Sequence, residues 1–346
     1  MAATPWAELL NALVEGRDLS TEQTHWAMDE ILGGNASPVH IAGFAVAMRA
    51  KGETVEELRG LADAMTNHAT PITLGQEAVD IVGSGGDRAN TVNVSTMAAV
   101  AASAAGARVV KHGNRAASSM CGTADCLEAL GVKLEVAPDK QAAVLERAGM
   151  VFLFAPLYHR SLRFAAAPRR ELGIRTPFNL LGPLTNPARP VAQAIGVADA
   201  RAADLMAGVL AARGSRGMVF HGGDGLDELT TTTTSDVWLI GEGRVVRTQL
   251  DPQALGLQPA QPEDLVGGPP EHNAQVARDV FAGQTGPVRD IVLANGAAAL
   301  LAHRGVDLDA DLPEQMMTCI KDIAQALDSG AAAATLDRLV EETQGM

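Results

Sequence analysis

The sequence predicts an α/β fold in which a small helical domain accompanies a large α/β domain, whose mostly parallel central sheet is covered by helices. Before residue 72 the chain shows only helix starts and helical apolar spacing, whereas from Ala78 onward short apolar runs alternate with alanine-rich segments. Such alternation is typical of parallel strands joined by crossover helices. We therefore place the small domain at residues 1–72, joined by helices from about 175–190, and the large domain at 73–346.

The helical prediction for the first domain depends on three capping signals. "STEQ" from Ser20 and "TVEE" from Thr54 each place a hydroxyl residue three positions before Gln or Glu, which is the pattern of a capping box. Ser37 followed by Pro38 is a capping residue with proline at the first helical position. With the helical apolar spacing that follows each of them, these starts predict that the first ~70 residues are all helical.

The strands of the large domain are predicted from short apolar runs. "AVDIV", "RVV", "MVFLFAP", "QAIGV" and "GMVFH" are separated by segments of helical character such as "VSTMAAVAASAAGA". "DVWLIGEGRVVRTQL", from Asp236 to Leu250, is predicted as a hairpin at a sheet edge, and the tail from about Asn273 is predicted to be helical. Because ligands of such folds bind at the carboxyl ends of the strands, a site is expected in the loops that follow them.

Composition excludes several classes of protein. The net charge of −14 argues against a general nucleic-acid or anionic-membrane surface. The three cysteines are odd in number and form no CxxC pair, which disfavours a disulfide framework or a zinc cluster. The N-terminus lacks the basic start of a signal peptide, and no apolar run approaches the ~20 residues that span a bilayer. We expect a cytoplasmic protein that binds neither nucleic acid nor membrane.

The segment "VGSGGDRANTVNVST" has the features of a phosphate cradle. Gly83, Gly85 and Gly86 allow a ligand to approach the backbone and its N–H groups. A helix that begins near Asn93 would direct further N–H groups and the positive end of its dipole toward an anion. The segment is neither a G-x-G-x-x-G nor a Walker A pattern, and by itself it fits a tight strand-to-helix turn equally well.

Two further segments contain clustered charges. In "VVKHGNRAASSMCGTAD", Lys111, His112 and Arg115 follow a strand and form a local anion trap in an acidic chain, although a solvated basic turn would look the same. In "HGGDGLDELTTTTT", Asp227 and Glu228 lie close to Asp224 after another strand. Adjacent carboxylates suit Mg²⁺, but on spacing alone an ordinary acidic turn is the simpler interpretation.

A fourth segment, "APRRELGIRTPFNLLGPLTNPA", is rich in arginine and proline. Arg169 and Arg170 are predicted to lie on a helix, and Arg175 follows the glycine that ends it. Arginine is the side chain best suited to hold a carboxylate in a two-point contact. A surface helix with salt bridges is the alternative.

The four segments together resemble one family. "DIVGSGGDRANTVNVST", "KHGNRAASS", "RRELGIRTPFNLLGPLTNPA" and "DGLDE" are similar in order and spacing to the anthranilate phosphoribosyltransferases. The resemblance implies a nucleoside phosphorylase-like (type III phosphoribosyltransferase) fold and a homodimer formed through the helical domains. It also implies Mg²⁺ and the substrates phosphoribosyl pyrophosphate (PRPP) and anthranilate. The implied reaction, a step of tryptophan biosynthesis, gives N-(5-phosphoribosyl)anthranilate and pyrophosphate.

The resemblance also implies roles for individual residues. Lys111 is expected to stabilise the departing pyrophosphate, and Arg169 to hold the anthranilate carboxylate, which Asn114 also contacts. The expected magnesium ligands are Ser95, Asp227 and Glu228. The expected substrate-binding residues are Gly83, Gly86, Asp87, Thr91, Asn93, Val94, Ser95, Thr96, Lys111, His112, Gly113, Asn114, Arg115, Ala116, Ala117, Ser118, Ser119, Thr123 and Arg169.

Four positions depart from the family pattern. Ser84 replaces the more usual threonine, Arg88 replaces a common glycine, and Met120 and Cys121 replace residues that are usually more polar. None of the four is assigned to chemistry. We therefore expect them to change PRPP affinity or loop mobility rather than activity itself.

Two other functions stay open. A pyrimidine nucleoside phosphorylase shares the fold but binds inorganic phosphate, and the segments "KHGN" and "DGLDE" argue against it. A non-enzymatic nucleic-acid-binding relative of the same fold would need a basic face and could lose the magnesium carboxylates. This chain is acidic and keeps Asp227 and Glu228.

Overall fold

The structure, a computed structural model, describes residues 5–116 and 119–346. Within these residues the chain forms fourteen α-helices and one seven-stranded sheet. The helices are α1 (Pro5–Val14), α2 (Thr21–Leu32), α3 (Pro38–Lys51), α4 (Val55–Asn67), α5 (Val94–Ala104), α6 (Thr123–Ala129), α7 (Gln141–Ala148), α8 (Ala155–Tyr158), α9 (Arg163–Leu172), α10 (Ala200–Ala212), α11 (Pro270–Phe281), α12 (Pro287–Arg304), α13 (Leu312–Asp328) and α14 (Ala331–Gln344). The strands are β1 (Val79–Gly83), β2 (Val109–Gly113), β3 (Met150–Phe154), β4 (Ala192–Gly196), β5 (Arg216–Gly222), β6 (Ser235–Gly241) and β7 (Arg244–Leu250).

The sheet has the strand order β3-β2-β1-β4-β5-β6-β7. The strands β3, β2, β1, β4 and β5 run parallel to one another. β6 is antiparallel to β5, and β7 is antiparallel to β6. This confirms the predicted mostly parallel sheet, and the predicted hairpin is β6–β7 at one edge. The order reverses between β1 and β4, which makes that pair the switch point at which ligands of open α/β sheets bind.

The three capping signals of the first domain form as predicted. The hydroxyls of Ser20 and Thr54 accept hydrogen bonds from the N–H groups of Gln23 and Glu57, whose side chains accept in return from the capping residues. The hydroxyl of Ser37 caps α3 by accepting from the N–H of His40, with Pro38 at the first helical position. An N-cap of this kind stabilises a helix by about 1 kcal/mol, because it satisfies a backbone donor that the helix leaves free.

Two compact units divide the chain. One comprises Met1–Pro71 and Pro156–Pro187, and the other comprises Ile72–Ala155 and Ala188–Met346. The first is helical, and the second contains the sheet. The predicted limits of independently folding domains, at residues 72 and 73, stay a prediction.

The segment that rejoins the helical unit differs from the expectation in its position and structure. It begins at Pro156 rather than near residue 175, and its longest helix is α9. Residues 175–190 contain two short 3-10 turns, Pro177–Leu180 and Gly182–Leu184. The prolines of this stretch explain the difference, because proline lacks the N–H group that would continue an α-helix.

α12 packs closely on α5 inside the α/β unit. Every residue of α12 from Ile291 to Ala302 is buried, which is typical of a helix at the centre of a core. A Cβ atom placed on Gly296 would lie 3.3 Å from the side chain of Ile323 and 3.6 Å from the carbonyl oxygen of Ala98 in α5. Small residues therefore let α12 come near α5, the helix that follows the glycine-rich segment.

None of the helices in residues 5–116 and 119–346 combines the length and the apolar character that crossing a bilayer requires.

Candidate active site

Three loops follow the carboxyl ends of neighbouring parallel strands. The glycine loop (residues 84–93) follows β1, the second loop (114–122) follows β2, and the acidic loop (223–234) follows β5. Residues 117 and 118 of the second loop lie outside the described residues. Because β2, β1, β4 and β5 are adjacent in the sheet, the three loops share one edge, where the sequence predicted a site.

Asp227 joins the glycine loop to the acidic loop. The N–H of Gly85 donates to Oδ2 of Asp227 at 2.6 Å. Gly83 ends β1 opposite Gly196 of β4. A Cβ atom on Gly83 would collide with the Asp227 carboxylate, and one on Gly196 would collide with the Asp227 backbone. The missing side chains of these two glycines are what allow Asp227 to lie directly against the sheet.

Three carboxylates form a candidate metal site. Asp87, Asp227 and Glu228 each offer an oxygen, and these atoms lie within 4.8 Å of one another. Burial, together with the charge of Asp87, raises the pKa of Asp227 to about 6. Burial and the charge of Asp227 raise the pKa of Glu228 well above its usual range, and the buried Oε2 of Glu228 has no hydrogen-bond partner within the described chain. A divalent cation with oxygen ligands, such as Mg²⁺, fits this cluster because it would neutralise the repulsion.

Sequence reasoning missed Asp87 as part of this cluster and assigned it to substrate binding alone. Asp87 lies 140 positions before Asp227, so only the folded sheet brings the two together. The signal that could have found it is topological: an acidic residue in a loop at the same sheet edge as the Asp227–Glu228 pair. The expected metal role of Ser95 stays a prediction.

Asp224 has a different role from its acidic neighbours. Its Oδ2 accepts hydrogen bonds from the hydroxyls of Thr230 and Thr232 at 2.7 and 2.5 Å, and its Oδ1 accepts from the N–H of Leu226 at 3.2 Å. The threonine run thus closes the acidic loop onto Asp224. Asp224 organises the loop that presents the Asp227–Glu228 pair.

Lys111 is buried beneath the three loops, with 1% of its surface exposed. Its Nζ donates to the carbonyl oxygen of Ile81 in β1 at 2.5 Å and to the hydroxyl of Ser95 in α5 at 3.1 Å. Burial lowers the pKa of Lys111 to about 8, and the negative charges of nearby carboxylates, including Asp227 and Glu228, oppose that shift. Lys111 thus supplies positive charge inside the site, next to the first turn of α5.

The first turn of α5 is open to a ligand. Asn93 is the N-cap residue, but its side chain does not cap the helix. Its Oδ1 instead accepts from Asn273 at 2.8 Å, and its Nδ2 donates to the carbonyl oxygen of Cys121 at 3.3 Å. The buried hydroxyl of Thr96 has no partner in the described part of the chain. Val94 and Ser95 complete a helix start of the kind that binds anions.

The far end of the glycine loop is held by a segment from the C-terminal half of the chain. Thr91 forms an antiparallel bridge with Val266, and the N–H of Val92 donates to the carbonyl oxygen of Leu265 at 2.9 Å. The N–H of Gly267 donates to the carbonyl oxygen of Asn90 at 2.8 Å. These backbone contacts fix the approach to α5.

The structure modifies the expectation for Arg115. Its guanidinium lies 2.9 Å from Asp125 and 2.8 Å from Glu128 of α6, so two carboxylates already neutralise it. It also lies over the ring of Phe154, 5.6 Å from the centroid. The predicted anion trap therefore has fewer free cations than the sequence suggested, and substrate binding by Arg115 stays a prediction.

The remaining residues expected in the second loop lie at the sheet edge. The backbone N–H of buried His112 donates to Oδ1 of Asp80 at 3.2 Å, and the N–H of Ala116 donates to Asp125 at 2.9 Å. Gly113 ends β2, Asn114 opens the loop, Ser119 donates to the carbonyl oxygen of Cys121, and Thr123 begins α6. Ala117 and Ser118, also expected to bind substrate, lie outside the described residues.

Arg169 lies in the helical unit, on α9. Its guanidinium is over the ring of Phe178, 5.4 Å from the centroid, and burial lowers its pKa. Among the residues that the structure describes, no carboxylate forms an ion pair with it. A stacked guanidinium without a carboxylate partner suits an anionic ligand. Asn114, the other expected anthranilate contact, belongs to the α/β unit, so their joint action stays a prediction.

The chain matches one family over both parts of its length. Residues 75–333 match the α/β domain of a glycosyl transferase family, and residues 7–69 match the helical bundle domain of the same family. Together the two matches include the three loops and α9.

Named relatives point to one branch of this family. The anthranilate phosphoribosyltransferase of Thermobifida fusca is 56% identical over 99% of this chain and 98% of the relative. The crystal structure of the Thermus thermophilus enzyme superposes with a TM-score of 0.90 at 39% identity, covering 97% of this chain and 99% of that one. The Saccharomyces cerevisiae enzyme in complex with PRPP and Mg has a TM-score of 0.88 at 26% identity, covering 99% and 98%. The chain therefore belongs to the anthranilate phosphoribosyltransferase family.

Proposed function

We propose that this protein transfers the phosphoribosyl group of PRPP to the amine of anthranilate in tryptophan biosynthesis. The products are N-(5-phosphoribosyl)anthranilate and pyrophosphate. The proposal rests on one observation: a glycine loop, an open helix start, a buried lysine and three carboxylates lie together at one edge of the sheet. The relatives named above, one of them in complex with PRPP and Mg, support it.

The charge that develops on pyrophosphate is the main electrostatic problem of this reaction. Breaking the bond between the ribose C1 and pyrophosphate passes through a state in which the sugar is oxocarbenium-like. Backbone N–H groups of the glycine loop and the start of α5 would hold the phosphate oxygens, and buried Lys111 adds positive charge beneath them. Pre-arranged donors of this kind stabilise the leaving group without reorganisation.

The three-carboxylate cluster is the proposed site for Mg²⁺. Asp87, Asp227 and Glu228 would hold the ion, directly or through its waters. When bound, Mg²⁺ supplies positive charge that offsets the charge of pyrophosphate. The chain's own contribution is to keep the carboxylates together, through the Gly85 N–H and the hydrogen bonds of the acidic loop.

The acceptor needs placement more than activation. The aromatic amine of anthranilate is already neutral at pH 7, so we assign no strong general base. Fixing two substrates in reactive orientation can lower the barrier by ~7–11 kcal/mol. Arg169 would contribute by holding the anthranilate carboxylate, because a stacked guanidinium is restricted in orientation.

The test of the proposed function is the loss of anthranilate fluorescence when PRPP is added, with and without Mg²⁺. Loss that needs both would support the assignment. A folded protein that binds PRPP but leaves anthranilate unchanged would retain the phosphate cradle and overturn the acceptor. Phosphorolysis of a pyrimidine nucleoside without PRPP would favour the nucleoside phosphorylase alternative.

The role of Arg169 makes a separate prediction. Arg169→Ala should raise the KM for anthranilate roughly 10- to 100-fold, since a charge-assisted hydrogen bond contributes about 1.5–3 kcal/mol. The KM for PRPP should change little. Arg170→Ala is the matched control, because Arg170 is an exposed neighbour on the same helix. Equal effects of Arg169→Ala on both substrates would remove Arg169 from the anthranilate site.

The homodimer and the cytoplasmic location also belong to this proposal. On α3 the side chains of Val39 and Val46, seven positions apart, are 79% and 40% exposed. That spacing puts them on one face of the helix, and apolar residues so exposed suit a protein interface. Sedimentation equilibrium, which gives the mass of the particle independently of its shape, tests the homodimer.

A further inference from the structure

We propose that Asn295 of α12 is a positioning residue that holds the Asp227–Glu228 pair in place for a divalent cation. This inference rests on the metal role proposed above for that pair. Asn295 is buried, with 1% of its surface exposed, in a helix that is otherwise apolar around it. A polar side chain there must have a structural or functional use, because burying an amide without partners is unfavourable.

The side chain of Asn295 binds one residue at two points. Its Oδ1 accepts from the N–H of Leu229 at 3.0 Å, and its Nδ2 donates to the carbonyl oxygen of Leu229 at 2.9 Å. The same Nδ2 donates to the carbonyl oxygen of Ile291 at 2.9 Å, which fixes the amide on its own helix. The Leu229 N–H belongs to the peptide bond that follows Glu228. Asn295 therefore sets the orientation of that peptide plane.

The position of this contact within the acidic loop gives it its importance. Asp224 accepts hydrogen bonds from the N–H of Leu226, just before the metal pair, and from the hydroxyls of Thr230 and Thr232, just after it. Asn295 acts at Leu229, directly after Glu228. The buried Oε2 of Glu228 has no partner in residues 5–116 and 119–346, so the backbone must place it.

α12 also links the metal pair to the phosphate-binding helix. Gly296, the next residue, lies near the carbonyl oxygen of Ala98 in α5. α12 thus packs against α5 at Gly296 and holds the acidic loop through the preceding residue, Asn295. The amide oxygen and the amide nitrogen of Asn295 both bond to backbone groups. Asn295 therefore acts through Leu229 rather than by touching substrate or metal.

The experiment is a titration with Mn²⁺ alone, in which electron paramagnetic resonance measures the free ion. We expect Asn295→Ala to weaken Mn²⁺ binding at least fivefold. Gln141→Ala is the matched control, because Gln141 is an equally buried amide of α7 that donates to the carbonyl oxygens of Phe152 in β3 and of Val136, which lies outside the sheet. It should lower the melting temperature to a similar degree and leave Mn²⁺ affinity within twofold of wild type.

Asp227→Asn separates the two proposals. If Asp227→Asn loses Mn²⁺ binding but folded Asn295→Ala keeps wild-type affinity, positioning by Asn295 is overturned and the metal role of the pair stands. If Asp227→Asn binds like wild type, both the metal role and the inference fail, while the fluorescence assay still decides on the reaction.

A second variant covers the case in which Asn295→Ala does not fold. Asn295→Ser replaces the amide by a shorter hydroxyl, which can bond to at most one of the two Leu229 backbone groups. It should bind Mn²⁺ with an affinity between those of wild type and Asp227→Asn. Wild-type affinity in this variant would overturn the inference.

Discussion

The acidic loop and the glycine loop lie at the same sheet edge but are stabilised in different ways. The acidic loop is tied along its length, by Asp224 to two threonine hydroxyls and by Asn295 to Leu229. The glycine loop is tied at its ends, and its middle is exposed around Arg88. The acidic loop is thus organised by side-chain hydrogen bonds, from its own Asp224 and from Asn295 of α12, whereas the glycine loop is held mainly by contacts near its two ends.

This difference indicates how each loop is used. A cluster of like charges has to be held together against repulsion, so its loop needs internal hydrogen bonds. A phosphate-binding loop has to present its donors to a ligand, so bonds within the loop would compete with binding. Substitutions in the acidic loop should therefore change stability and activity together, while those in the glycine loop should change stability little.

The largest effect is expected when the metal pair is neutralised. Asp227→Asn combined with Glu228→Gln should lower kcat/KM roughly 100-fold or more, because the charge supplied by a metal is worth several kcal/mol. The same change should raise the free energy of unfolding without ligand by about 2–3 kcal/mol at pH 7.5. The reason is that the raised pKa of Asp227 reports a carboxylate that is unfavourable when charged.

Steady-state assays over a Mg²⁺ series and urea unfolding measure the two quantities on the same samples. Wild-type magnesium dependence in the double variant would contradict the ligand assignment. A loss of stability would contradict the view that the pair is strained by its own charge.

The next effect tests the internal bonds of the acidic loop. Asp224→Ala should lower the free energy of unfolding by about 2 kcal/mol, because two hydroxyls and one N–H lose their acceptor. Asp309→Ala, which removes an exposed carboxylate 3.7 Å from Arg244, should change it by less than about 0.5 kcal/mol. Urea unfolding of both variants makes the comparison, and equal effects would show that the Asp224 bonds add nothing.

A pH series sharpens the same point. The pKa of Asp227 is raised to about 6, so its stabilising contribution is present below its ordinary value near 4 and is lost as the pH rises through 6. Wild type should therefore regain at least about 1.4 kcal/mol relative to the Asp227→Asn, Glu228→Gln variant between pH 7.5 and pH 5, because Glu228, whose pKa is also raised, contributes in the same direction. A constant difference between the two proteins across this range would contradict the prediction.

The comparison of variants is needed because His159 acts in the opposite direction. Burial lowers the pKa of His159 to about 4, so its contribution is lost as the pH falls from 6.5 toward 4. His159 is present in both proteins and cancels in their difference. Urea unfolding at each pH gives the required free energies.

The smallest effect concerns the glycine loop. Arg88 has a φ of +64°, in the left-handed region that favours glycine, which agrees with the glycine that the family resemblance leads us to expect at this position. Arg88→Gly should raise the free energy of unfolding by no more than about 0.5 kcal/mol, since the relief of strain is partly offset by glycine's freedom in the unfolded chain. Ala89→Gly should lower it by about 0.5–1 kcal/mol. Thermal unfolding that gives both changes the same sign would contradict this account.

Much of the fold could be predicted because its signals are local. "MVFLFAP" became β3, a strand buried along its whole length, and the hairpin from Asp236 became β6 and β7. The capping boxes at Ser20 and Thr54 were confirmed because each depends on residues within one helical turn. Patterns of this kind are visible in sequence since the groups that interact are neighbours in the chain.

What could not be predicted depends on distant contacts. The addition of Asp87 to the metal cluster and the neutralisation of Arg115 by Glu128 both need the fold to bring separate segments together. A return of the chain to the helical unit was predicted, but its start at Pro156 has no local signature. Periodicity identifies the elements, but it does not report which side chains will face one another.

The paired glycines under Asp227 have a consequence for how this protein can change. Gly83 and Gly196 lie opposite each other at the ends of neighbouring strands. Because neither has a side chain, Asp227 packs directly against the backbone of both. Even a methyl group at either position would push against the acidic loop from below. In a mutational library the two positions should therefore accept almost no replacement. At Gly196 no second substitution could make room, because the space required is that of the Asp227 backbone, whereas at Gly83 only a change of the Asp227 side chain itself could do so.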